Sequence, residues 1–179
     1  MSLKPWHEIM TPHDNIRAGK VKQSDFAASL ADVLDANGNP DYYDPVRFFD
    51  RTYLTQGLRL LAGEVVGRLT GQGDGDAVIQ IQTPFGGGKT HTLICLYHLV
   101  QNAGACFNHP ALKTYWLERG WSTPPNVRVG AFDGNHIGTS PVEVAPGLTI
   151  QTMWGHLAWQ LVGLEGYQLV AQADQERVS

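Results

Sequence analysis

Residues 83–92 read "TPFGGGKTHT", and the segments on either side decide what this stretch can be. "AVIQIQ" (77–82) leads into it as a short β-prone run. "KTHTLICLYHLVQNAG" (89–104) follows, with Leu93, Ile94, Leu96, Tyr97, Leu99 and Val100 covering most of a helical circumference, the mark of a buried helix. Gly104 is the expected end of that helix. Strand, glycine-rich turn and all-round apolar helix form the setting of a phosphate-binding P-loop. The plainer alternative is a glycine-rich surface turn with an exposed lysine, and the flanking segments argue against it.

The residue types fit the chemistry. A loop that wraps phosphates must bring successive backbone N–H groups to anionic oxygens, and Gly86, Gly87 and Gly88 permit the positive φ angles and close approach this demands. The helix that follows points its positive end at the phosphates. Lys89 supplies a point charge at the β- and γ-phosphates and is the candidate catalytic residue; Thr90 supplies a hydroxyl for Mg²⁺. Thr83, Pro84 and Phe85 complete the loop, and His91 follows it into the helix, so the expected nucleotide contacts run over residues 83–91. ATP with Mg²⁺ is the implied ligand; the absence of an N-K-x-D run weighs against GTP. In the usual pattern, G-x-x-x-x-G-K-[ST], the first position is glycine. Here Thr83 occupies it, a variation at the strand exit that bears on the opening of the loop.

Working outward, "NVRVGAFDG" (126–134) reads as a second strand. The predicted fold is α/β: a P-loop NTPase-type parallel sheet flanked by helices, incomplete at its C-terminal end. Segments 77–82 and 127–132 would be parallel and joined right-handedly through the 89–102 helix. Gln80 and Gln82 are the weak point, because a central parallel strand buries both faces. The expected division is an N-terminal arm and helical region over 1–76 and the P-loop core over 77–179.

Upstream, residues 1–23 form an irregular arm with Trp6 as a packing anchor. Ser24 caps a helix presenting Phe26, Ala27, Leu30, Val33 and Leu34. Asp44 followed by Pro45 starts another helix running to about Leu69, with a break near Thr55–Gly57. Arg51, Thr52 and Tyr53 precede the loop in that helix, either packed or approaching the nucleotide. Downstream, Pro110 opens a short helix and Gly120 follows its end. Residues 147–163 pass from an extended piece into a helix with Met153, Trp154, Leu157 and Leu161 on one face.

Asp133 ends an apolar strand, as a Mg²⁺-coordinating Walker B aspartate does. It is followed by Gly134 and Asn135 rather than by a second acid, so a local turn and a metal contact both stay open. His91 and His98, seven apart, read as packing or partly exposed residues. Trp116, Trp121, Trp154 and Trp159 read as core rather than as base-stacking platforms.

The chain has 179 residues, 42% hydrophobic and 17% charged, with a formal net charge of −4. That suits one globular domain without a global basic field for nucleic acid. Cys95 and Cys106 lack metal-ligand spacing and read as reduced thiols. With no apolar run of membrane-span length and no signal-peptide core, the expected location is cytoplasmic, away from the membrane.

"KPWHEIMTPHDNIRAGK", "DPVRFFDRTYLTQGL", "IQIQTPFGGGKTHTLICLYHL", "VRVGAFDG" and "GLTIQTMWGHLAWQL" together resemble the N-terminal region of a prokaryotic AAA-like P-loop ATPase family known as domain of unknown function 499. The resemblance covers nearly the whole chain, in order. It implies a longer ATPase whose Walker B strand lies beyond Ser179, and it places Thr83 within the normal pattern. Members often neighbour DNA methyltransferase and helicase genes. The resemblance therefore implies a role in DNA modification or phage defence, with nucleic acid or a methyltransferase as partner, and is compatible with a homo-oligomer. Three function classes compete: an AAA-like ATPase, a nucleotide-dependent switch or scaffold that binds without turnover, and a small-molecule or nucleotide kinase. A kinase often carries an arginine-rich lid, and no such segment occurs here.

Overall fold

The computed structural model describes residues 3–84, 86–134 and 140–178; Phe85 of the glycine loop and Asn135 after Asp133 lie outside them. In chain order the helices are α1 (Trp6–Ile9), α2 (Asp14–Arg17), a 3-10 turn (Gln23–Phe26), α3 (Leu30–Leu34), α4 (Pro40–Tyr43), α5 (Pro45–Asp50), α6 (Gln56–Leu69), α7 (Lys89–Gln101), α8 (Ala103–Phe107) and α9 (Pro110–Glu118). A hairpin of β1 (Val142–Ala145) and β2 (Leu148–Ile150) follows, then α10 (Met153–Val162), α11 (Leu164–Gln168) and α12 (Ala171–Glu176).

The predicted parallel sheet is not there. Among the described residues the only sheet is the antiparallel β1–β2 pair, with Val142 opposite Ile150 and Gly147 at φ +77° in its turn. The α/β P-loop sheet is therefore corrected to a mainly helical fold. The physical reason is visible in both segments that were read as strands. Residues 78–84 form no regular element and pair with no strand, and Val78 is 85% exposed. A parallel strand needs cover on both faces, and this one has water on the face carrying Val78, Gln80 and Gln82. Residues 126–132 lie instead along α10. The Ala131 amide donates to Gln160 Oε1 at 2.7 Å, and a Cβ on Gly130 would press on Leu157 and Leu161. That helix claims the face and one of the backbone donors a second strand would use.

The core is built by α3, α5, α6, α7, α8 and α9. Val33, Phe48, Phe49, Ala62, Val66, Ile94, Cys95, Leu99, Leu112, Tyr115 and Trp116 are buried together, closed at one end by Trp121. Local signals set most helix starts. Asp44 accepts from the Val46 and Arg47 amides with Pro45 at the first helical position, and Thr55 accepts from the Leu58 amide to start α6. The break between α5 and α6 thus falls at residues 51–55. Ser29 caps α3, accepting from the Asp32 amide; the side chain of Ser24, the expected cap, lies outside the described residues. Helix α7 is buried on one side only: Ile94, Cys95, His98 and Leu99 face inward while Leu93 is exposed, and Gly104 sits inside α8 rather than ending α7.

At the C-terminal end the buried side of α10 is Gly155 and His156, while Met153, Trp154 and Leu161 are exposed. Asp174 of α12 decides this. Its carboxylate accepts from the Gln151 and Thr152 amides, the Thr152 hydroxyl at 2.6 Å and the Tyr167 hydroxyl at 3.0 Å. A Cβ on Gly155 would overlap that carboxylate. Trp6 is exposed rather than a packing anchor. No helix among the described residues is long and apolar enough to cross a membrane.

Candidate functional site

The glycine loop ends directly on α7, a 13-residue helix, so its first-turn amides and its dipole face the loop. Gly86 (φ +78°) and Gly88 (φ +77°) both take the left-handed region, where a side chain is strained. Gly88 is also the N-cap, with its carbonyl accepting from the Thr92 amide at 2.8 Å. Gly87 has a different reason to be glycine: a Cβ there would overlap the side chain of Thr83. Thr83 thus stands at the first position of the motif because the fifth position gives it room.

Lys89 folds back over the loop. Its Nζ donates to the Thr83 carbonyl at 2.9 Å, the Thr83 hydroxyl at 3.2 Å and the Pro84 carbonyl at 3.3 Å. The Gly87 amide donates to the Pro84 carbonyl at 3.1 Å, closing a tight turn. The ammonium therefore sits at the mouth of the loop, held by neutral oxygens rather than by a carboxylate. An incoming anion would compete with carbonyls for it, not with a formal charge. Thr90 is half-buried in the first turn of α7.

His91 points away from the loop toward the helical region. Its Nε2 lies 3.2 Å from Thr52 Oγ1, and its ring lies 4.7 Å from that of Phe48. Burial lowers its pKa below the ordinary histidine value, so it is neutral at pH 7. Of the three residues ahead of α6, Thr52 therefore touches the loop's helix, Arg51 pairs with Asp41 at 2.9 Å, and Tyr53 is exposed.

Asp133, the other candidate for the metal, lines a cavity with residues of the far half of α7. These are Tyr97 and Gln101, seven and eleven residues beyond Thr90, roughly 10–17 Å along the helix axis at 1.5 Å per residue. Among the described residues no group of three or more His, Cys, Asp or Glu could hold a metal ion. A cavity of about 800 Å³ lies between α6 and α9 over Arg59, Tyr115 and Arg119, with no glycine-loop residue in its lining. Of the four tryptophans expected in the core, Trp116 and Trp121 are buried together, Trp159 is half-buried and Trp154 is exposed. His98 is buried too, with Nε2 donating to the Tyr42 carbonyl at 2.7 Å and Nδ1 accepting from Asn102. Cys95 and Cys106 are free and buried, and burial pushes both thiols up to about 12, which leaves them unreactive.

Sequence reasoning missed Phe48, Ile16 and Phe26 as neighbours of His91. Only an aromatic pair, "FF", at the right distance from the cap at Asp44 pointed to Phe48, and nothing local pointed to the other two.

The model of the DUF499 N-terminal domain matches residues 13–179. No curated protein and no solved structure matches the chain. The match spans far more than half of the sequence.

Proposed function

The chain belongs to the family of DUF499 N-terminal domains, and we propose that within that family it binds ATP with Mg²⁺ through residues 83–91. The carrying observation is the placement of the Lys89 ammonium over a loop whose Gly86 and Gly88 are both left-handed, at the start of a 13-residue helix. Left-handed glycines, first-turn amides and a lysine at one mouth form a cradle for an anion with several oxygens. The residues fit a triphosphate. Lys89 would exchange the Thr83 and Pro84 carbonyls for phosphate oxygens, and the Gly87 amide would leave Pro84 for the same ligand. Thr90 would offer its hydroxyl to the magnesium ion that accompanies the nucleotide.

In this reading the chain is the nucleotide-holding part of an AAA-like ATPase. The resemblance to that family suggests DNA modification or phage defence as its setting. A second reading, a switch or scaffold that binds without turnover, is favoured by one observation: Asp133 shares a cavity with Tyr97 and Gln101 in the far half of α7.

The test is titration of a fluorescent ATP analogue against wild type and Lys89→Ala in the presence of Mg²⁺. The expected result is a loss of at least about tenfold in affinity, equivalent to about 1.4 kcal/mol. Equal affinities would remove the loop from the account.

A further inference from the structure

A further cavity opens where His91 meets Thr52 and Phe48. It holds about 230 Å³ and is lined by Ile16, Phe26, Phe48, Arg51, Thr52 and His91, with Asp25 and Asp41 at its polar edge. We infer that this cavity receives the base of the bound nucleotide, between the N-terminal arm (residues 13–26), α5 and the first turn of α7. The inference rests on the reading of residues 83–91 as a phosphate loop.

Four observations carry it. The first is position: His91 is two residues beyond Lys89, so the cavity begins within one helical turn of the loop. The second is the floor, where the Phe48 and His91 rings pack at 4.7 Å, tilted 33° to one another, and the Thr52 hydroxyl holds the imidazole at 3.2 Å. The third is the roof. Ile16 and Phe26 are 47% and 68% exposed, although both line this cavity. Large apolar side chains on an otherwise polar arm gain little from that placement unless a flat apolar partner enters beneath them.

The fourth is the hinge of the arm. Arg51 bridges Asn15 of α2 (3.4 Å) and Asp41 of α4 (2.9 Å), and the Asn39 side-chain amide donates to the Asp25 carbonyl at 3.3 Å. These contacts fix the arm over the cavity without filling it. The polar edge then selects what enters. Asp41 is taken up by Arg47 and Arg51, while Asp25 accepts from the Lys22 amide and keeps acceptor capacity toward the cavity. A purine with an exocyclic amino group can stack between Phe26 and His91 and donate to that carboxylate.

The experiment compares two probes, Mg-ATP and inorganic tripolyphosphate, on wild type, Phe26→Ala, Ile16→Ala and Lys89→Ala. Because Phe26 and Ile16 are exposed, their truncation leaves the core intact, and circular dichroism checks this. Phe26→Ala is expected to weaken ATP at least tenfold and tripolyphosphate less than twofold, with Ile16→Ala in the same direction. Lys89→Ala is expected to weaken both probes. If Phe26→Ala and Ile16→Ala change neither probe, or both equally, the base site is overturned while the phosphate loop stands. A wild type that binds both probes with one affinity also overturns it. A wild type that binds neither overturns the phosphate loop as well.

Discussion

The side chain of Thr83 fills the space that a Cβ on Gly87 would need. These two positions, the first and fifth of the loop motif, are therefore coupled by packing. With the bulkier residue at the first, only glycine fits at the fifth.

Gly87→Ala should push Thr83 out of place and with it two of the three oxygens that hold Lys89. The expected outcome is about tenfold weaker binding of an ATP analogue with little change in melting temperature, since the loop is exposed. Thr83→Gly should relieve the clash, so the double variant should bind better than Gly87→Ala alone. A double-mutant cycle measures the coupling, expected at about 0.5–3 kcal/mol for residues in contact. Strict additivity would mean the overlap is absorbed elsewhere.

Removing the buried carboxylate of Asp174 should unseat α10–α12. Asp174 is 1% exposed and accepts from four donor groups. Asp174→Ala leaves those donors buried without a partner, at a cost of about 2–4 kcal/mol. Burial alone would raise this carboxyl's pKa. The bonds from the Thr152 hydroxyl, the Gln151 amide, Tyr167 and the Thr152 amide outweigh that and lower it. A depressed folded pKa means stability that is present above the unfolded value near 3.9 and lost as pH falls through the folded one. Denaturant melts at pH 7, 4 and 2.5 should show the loss in wild type and a flatter profile in Asp174→Asn.

Local chemistry was legible in the sequence, and long-range pairing was not. The starts of α5 and α9 follow from Asp44–Pro45 and Pro110, because a cap and an N-terminal proline act within one turn. The helix expected after the glycines also begins where it was placed, at Lys89. The strands failed because a strand is completed by its neighbours. "AVIQIQ" has the β-prone residues but meets no partner, and "NVRVGAF" is held by Gln160 of α10. The inward face of α10 was misread for a similar reason. Its most apolar residues point out because the Asp174 carboxylate demands a glycine at 155. The His91 cavity brings together residues from 16 to 91, and no short window contains that information.

Mild acid should destabilise the protein well above the range of its carboxylates. His91, His98 and His156 all have pKa values lowered chiefly by burial; for His98 the Tyr42 carbonyl and Asp44 oppose this only in part, and for His156 Asp174 does. Each is neutral when folded and gains a proton more readily when unfolded. Their contribution is full above the unfolded value of about 6.5 and falls away as pH drops below it. Melting temperature should decrease between pH 7.5 and 5.5, and His98→Gln should reduce that slope. A protein that grows more stable toward pH 5.5 would contradict the assignment of these residues as buried and neutral.

Hydrolysis by this chain should be slow beside its binding, and Asp133→Asn should leave both unchanged. Phosphoryl transfer is governed by positioning and charge stabilisation, so a holding loop without a carboxylate to orient water binds more than it turns over. Asp133 shares its cavity with Tyr97 and Gln101, at the half of α7 away from Thr90. Of the acids nearer His91, Asp41 is held by Arg47 and Arg51, and Asp25, which accepts from the Lys22 amide, faces the base cavity rather than the phosphates. Steady-state phosphate release from Mg-ATP is the measurement, with Lys89→Ala as the control for contaminating activity. Lys89-dependent turnover of about 1 s⁻¹ or more, the lower end of ordinary enzymes, would mean that a water-orienting group is present in this chain after all. If Asp133→Asn then abolished it, Asp133 would be that group, and reaching the nucleotide would require residues 126–134 to leave α10.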